Sequence, residues 1–85
     1  MRESVALLRR YRHDPGFDFG LVRVVYENRG APMSRSAVEG SRITKLANTY
    51  FEMNLGGETV VIPYHRIIGI EYRGRVEWKR VVKPA

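Results

Sequence analysis

Tyr64, His65 and Arg66 stand side by side in the stretch VIPYHRIIGI, residues 61–70. A phenol, an imidazole and a guanidinium in succession offer a ring that stacks, a nitrogen that donates or accepts a proton, and a planar fork matched to two phosphate oxygens. They interrupt the most apolar run of the chain. Pro63, just before them, cannot donate to a sheet ladder, so a strand must leave its sheet there or lie at an edge. A bend between two buried strands holds its side chains on a rigid support, where binding residues are commonly found. The same three residues also have a purely structural use: Tyr64 packed with its hydroxyl satisfied, His65 bonded to a carbonyl, Arg66 paired with an acid. Residue type alone leaves both uses open.

The charge balance favours an anionic partner. Fifteen Lys and Arg against nine Asp and Glu give +6 over 85 residues, and neutralising phosphates releases counterions. Residues 46–65 hold no cation, whereas basic side chains gather at Arg9, Arg10 and Arg12, between Arg23 and Lys45, and from Arg66 to Lys83. All but Lys45, Lys79 and Lys83 are Arg, the cation that forks onto phosphate and stacks on bases. A solvated cationic surface is the bland alternative, and for Arg9, Arg10 and Arg12 it is the simpler one. His13 falls where a first helix ends, and there it suits the C-terminal dipole. With no cysteine there is no disulfide framework and no thiolate, and the acids are scattered singly, so neither a metal site nor a cofactor is expected. No apolar stretch approaches the ~20 residues that span a bilayer, and a signal peptide is not evident. A cytoplasmic protein without membrane attachment is expected.

These residues need elements to position them. Val5, Leu8 and Tyr11 at three-residue spacing, after Ser4 and before Pro15-Gly16, predict a short helix over about residues 4–12. In LVRVVYEN, Val22, Val24 and Tyr26 alternate as on a half-buried strand. RGAPMSRSAVEGS, residues 29–41, reads as a loop, and RITKL as a short strand. Gly56-Gly57 predicts a two-residue hairpin turn pairing Leu55 with Glu58, Met53 with Val60 and Phe51 with Ile62, which keeps the apolar residues on one face. For the last hairpin, a three-residue loop Arg73–Arg75 sets Tyr72 against Val76 and Ile70 against Trp78, whereas a two-residue turn splits the apolar faces. The expected core therefore includes Leu55, Val76 and Trp78. The expected fold is a single α+β domain over residues 1–85: one N-terminal helix and about five mostly antiparallel strands in a curled or barrel-like sheet.

VVYENRGAP at 24–32 and YFEMNLGGETVVIPYHRIIGIEYRGRVEWKR after it resemble a family of small basic, mostly archaeal proteins described as an RNA cyclic group end recognition domain. The similarity runs over nearly the whole chain, and IPYHRI is its most specific part. The resemblance implies recognition of RNA ends bearing a 2′,3′-cyclic phosphate, in the setting of RNA processing and repair enzymes. By position it falls on Tyr64, His65 and Arg66 in the bend, and on Arg29 and Gly30 in NRGAP. Arg29 and Arg66 would fork onto phosphate oxygens, His65 would donate to one, and Tyr64 would stack on the terminal base or bond a ribose oxygen. Gly30 would serve the turn. Arg35, Arg42 and Lys45 would form a secondary basic surface.

Three classes of function follow. The favoured one is a non-catalytic RNA-binding module, with RNA and an RNA-processing enzyme as partners; the oligomeric state is not legible. A protein-interaction scaffold is the alternative, although a peptide-binding edge needs no arginine excess. A His-dependent phosphodiesterase is less favoured. Two-histidine phosphoesterases carry a His-x-Thr/Ser pair in each half, and here the tripeptides are HDP and HRI, without the hydroxyls that orient phosphate.

Overall fold

In the computed structural model, which describes residues 2–81, the apolar stripe of the N-terminal segment winds into helix α1, Arg2–His13. Leu8 and Tyr11 are buried, and Val5 and Leu7 pack against the same core. Ser4, whose type would suit a cap at the start of the helix, is instead buried within its first turn. The Asp14 N–H still bonds to the Arg10 carbonyl, after which Pro15 ends the helix. Lys83, the last of the expected basic positions, lies outside the described residues.

The strands are β1 (Val22–Glu27), β2 (Arg35–Glu39), β3 (Ile43–Leu46), β4 (Tyr50–Leu55), β5 (Glu58–Pro63), β6 (Ile67–Tyr72) and β7 (Arg75–Lys79). They form two antiparallel sheets, ordered β2-β1-β6-β7 and β3-β4-β5. The α+β class holds, but the expected single curled or barrel-like sheet of about five strands does not. Two 3-10 turns explain the difference. Gly40–Arg42 separates β2 from β3, and Tyr64–Arg66 separates β5 from β6, so each turn carries the chain from one sheet to the other. The first turn packs against the Phe19 backbone so closely that a Cβ on Gly40 would lie 1.9 Å from the Phe19 carbonyl oxygen. β2 lies inside the segment expected to be a loop. Its signal is weak because only Val38 is buried, and pairing with Val24 of β1 supplies what the local pattern lacks.

The Gly-Gly hairpin has the expected register, with Leu55, Met53 and Phe51 opposite Glu58, Val60 and Ile62. Both glycines have positive φ, as a type I′ turn requires. The last hairpin uses a device that alternation does not reveal. Arg73 and Gly74 make a two-residue turn with positive φ at both positions, so Tyr72 faces Arg75 and not Val76. A bulge then leaves Glu77 without a partner and restores Ile70 opposite Trp78. Trp78 packs against the core as expected, whereas Val76, displaced by the shift, is 59% exposed, and Leu55 sits exposed beside the hairpin tip.

Aromatic contacts fasten α1 to the larger sheet. Tyr11 stacks on Tyr72 with ring centroids 4.7 Å apart, and Phe17 meets both rings edge-on. The Tyr72 hydroxyl accepts the Asp18 N–H at 2.9 Å. Among the described residues no helix is long and apolar enough to cross a membrane.

The contact at Gly40 makes a prediction. Gly40→Ala should cost about 3 kcal/mol, the upper range for overpacking against a rigid neighbour, and lower Tm by roughly 12–24 °C. At Gly30 a Cβ would meet only Asn28 Oδ1 at 3.9 Å, so Gly30→Ala should melt like the parent in the same calorimetric scan.

Candidate functional site

Antiparallel pairing brings the end of β1 beside the start of β6, with Tyr26 opposite Ile67. The loop after β1 and the turn before β6 therefore share one end of the larger sheet. Between them lies a cleft of about 520 Å³ lined by Glu27, Asn28, Arg29, Gly30, His65 and Arg66. The two segments singled out in the sequence, NRG and YHR, meet there although 36 positions separate Arg29 from His65.

Each wall is held by its own hydrogen bonds. In the β1–β2 loop, Asn28 Oδ1 accepts the Gly30 N–H at 3.3 Å, Asn28 Nδ2 donates to Ser36 Oγ at 3.0 Å, and the Asn28 N–H donates to the Ser34 carbonyl at 2.8 Å. Gly30 thus does serve the turn, but φ there is not positive, so no strained conformation demands glycine. The opposite wall depends on Tyr64. Its ring is 3% exposed and sits near Phe51. Its hydroxyl donates to the Ala47 carbonyl at 2.6 Å, and its N–H donates to the Thr49 carbonyl at 3.1 Å. Burial raises the phenol pKa, partly offset by nearby Arg9, so the hydroxyl remains a protonated donor at neutral pH. A ring so enclosed is not free to stack on a base; Tyr64 supports the site from beneath.

A 3-10 turn advances three residues per revolution. With Tyr64 drawn inward, His65 and Arg66 project outward, and both are exposed. Among the described residues the side chains of Arg29, His65 and Arg66 have no hydrogen-bond or ion-pair partner. One carboxylate among the described residues lines the cleft, that of Glu27, and it is ion-paired with Arg80. Two free guanidinium forks and an imidazole therefore face the opening without a competing anion. This arrangement suits an anion bearing several oxygens.

The secondary basic positions do not join this cleft. Lys45 lies 3.9 Å from Glu52 on the smaller sheet, Arg35 borders the outer face of the larger sheet near Val25 and Val76, and Arg42 stands in the turn before β3. The helix arginines have structural tasks. Arg10 lies over Phe17 and Arg12 over Phe19, and Arg12 also donates to the Ile43 carbonyl at 3.2 Å. His13 closes α1 and does not line the cleft. Among the described residues no group of His and carboxylates is placed to hold a metal ion.

Arg80 is the residue that sequence reasoning missed. Its backbone N–H continues the β6–β7 ladder to the Ile68 carbonyl at 2.8 Å. Its guanidinium binds Glu27 on one wall and donates to the His65 carbonyl on the other at 3.1 Å. It clamps the two walls without lining the opening. No spacing pattern announces a side chain that acts through a backbone carbonyl.

Comparison with known proteins places this geometry in context. The family model described as MJ1316 RNA cyclic group end recognition domain matches residues 1–80. A UPF0248 protein from Archaeoglobus fulgidus is 35% identical over 71 residues, which is 84% of this chain and 96% of the relative. No solved structure matches the chain.

The clamp makes a prediction of its own. Because the Arg80–Glu27 pair is partly exposed, Arg80→Met should cost only about 1 kcal/mol of stability. Amide hydrogen exchange in the Tyr64–Arg66 turn and at Asn28–Gly30 should nevertheless accelerate together, while the Gly56-Gly57 hairpin stays unchanged. Exchange unchanged at both walls would show that Arg80 does not hold them.

Proposed function

The chain belongs to the RNA cyclic group end recognition domain family, and from that premise we propose that it is a non-catalytic module that binds RNA termini bearing a 2′,3′-cyclic phosphate, in RNA processing or repair. The observation that carries this reading is the convergence of Arg29, His65 and Arg66, all unpaired, on one cleft. A cyclic phosphate presents two non-bridging oxygens and one negative charge to these donors. Each guanidinium fork can take both oxygens, and the imidazole can donate to one. Gly30 adds no side chain of its own to the wall that carries Arg29, so RNA can approach the backbone at that position. The cleft chemistry favours a terminal phosphate; the family description narrows it to the cyclic form.

Holding the phosphate is favoured over opening the ring. In-line opening by acid–base chemistry wants one group to accept a proton and another to donate one. Among the described residues the cleft contains a single imidazole, and its one carboxylate is engaged by Arg80. An RNA-processing enzyme as partner follows from this reading, since a bound cyclic end needs a separate catalyst to act on it.

The test is a titration with three oligoribonucleotides of one sequence, ending in cyclic phosphate, linear phosphate or hydroxyl. The cyclic end should bind tightest, and Arg66→Ala should weaken it about tenfold or more, the worth of one charge-assisted bond. The same variant should lose less on the hydroxyl end and melt like the parent. Affinity should fall with salt by a log-log slope of about −0.7 per phosphate contact. Equal binding of cyclic and hydroxyl ends would overturn end recognition, and a flat salt response would remove RNA binding altogether.

A further inference from the structure

His65 lines a second cleft as well as the first. This one, of about 540 Å³, opens between α1 and the turn joining β3 to β4, and its walls include Val5, Ala6, Arg9, Asn48 and Thr49. Resting on the reading just given, we propose that this second cleft receives the base of the terminal nucleotide, while its phosphate sits between Arg29 and Arg66. The RNA end would then be gripped in two adjoining compartments with His65 at their boundary.

The two clefts differ in the way a nucleotide's two ends differ. Among the described residues no carboxylate lines the second cleft, and its floor comes from residues 46–65, the part of the chain without a Lys or Arg. Val5 and Ala6 give it apolar walls, suited to the faces of a flat ring. The Asn48 amide and the Thr49 hydroxyl are exposed and make no hydrogen bond within the described fold. An amide carries donors and an acceptor side by side, which is what a base edge pairs with. Arg9 donates to the Ala47 carbonyl at 3.4 Å and lies beside the Tyr64 hydroxyl, which holds its planar guanidinium on the wall of this cleft, where it can lie on a ring. The size falls within the usual range for small-ligand clefts. Buried Tyr64 fixes the relation between the compartments: its bonds to Ala47 and Thr49 tie the β3–β4 turn to the bend that carries His65. A fatty occupant would leave the Asn48 amide and the Thr49 hydroxyl without partners, and would not account for the histidine shared with the phosphate cleft.

Ala6 offers a clean test, because it is exposed on the helix and faces the cleft. Ala6→Leu keeps a strong helix former and fills the space. Two RNAs would be compared, both ending in cyclic phosphate, one with its terminal base and one with that base deleted. Stacking and edge contacts of one base should give the parent protein about a tenfold preference for the complete end. Ala6→Leu should abolish that preference by weakening only the complete end, with Tm unchanged. Asn48→Ala should flatten any preference among the four terminal bases. If the parent binds both RNAs equally yet still prefers cyclic phosphate over hydroxyl, the base compartment is wrong and end recognition stands. If the preference for cyclic phosphate is also absent, both fall together.

Discussion

Tyr64 is buried where the two sheets join, and its hydroxyl is bonded to the Ala47 carbonyl. The chain leaves the smaller sheet at Pro63 and enters the larger one at Ile67, and Tyr64 fills the joint between them. A phenol can be sealed in an apolar core only if its hydroxyl keeps a partner, since an unmet polar group costs on the order of 1–3 kcal/mol. The Ala47 carbonyl provides that partner, and the same turn receives the Tyr64 N–H through Thr49. With one residue of a tight turn committed inward, the next two have no route into the core. The exposure of His65 and Arg66 is therefore a consequence of how the two sheets are joined.

Several of the other arginines are committed to the fold. Arg10, Arg12 and Arg73 lie over aromatic rings, Arg23 faces Glu71 at 3.4 Å, and Arg80 is held by Glu27 and the His65 carbonyl. These side chains support the fold. Arg29 and Arg66 are different, because antiparallel pairing of β1 and β6 carries both to one end of the sheet, where the acid beside them, Glu27, is ion-paired with Arg80. An excess of +6 spread over the chain says little about where a phosphate would sit. Two unpaired forks across one cleft say much more.

Much of the fold was legible where local chemistry and the apolar pattern agree. Gly56-Gly57 fixes a turn whose register also matches the faces of Phe51, Met53, Val60 and Ile62, so turn and pattern reach the same answer. They conflict at Arg73-Gly74, and the protein resolves the conflict with a bulge at Glu77 that no alternation rule anticipates. β2 was hidden because Val38 alone turns inward. The division into two sheets was hidden because it depends on Gly40 touching the Phe19 backbone, a contact between distant positions. In the site, Arg29, His65 and Arg66, which the sequence singles out separately, line one cleft, whereas the inward turn of Tyr64 was not legible. Tyrosine has both an apolar body and a polar tip, so residue type leaves its direction open. Arg80 gave no signal because its partners are a carboxylate and a carbonyl fixed only by the folded backbone.

The most direct measurement of the central claim is a map of backbone amide shifts by NMR as a nucleoside 2′,3′-cyclic monophosphate is titrated into the protein. The largest saturable shifts should fall at residues 27–30 and 65–66, with a second group at 48–49 beside the neighbouring cleft. The outer face of the larger sheet, at Val25 and Val76, should stay unmoved. Shifts centred on that outer face, or no saturable shift at the two walls of the cleft, would contradict the claim.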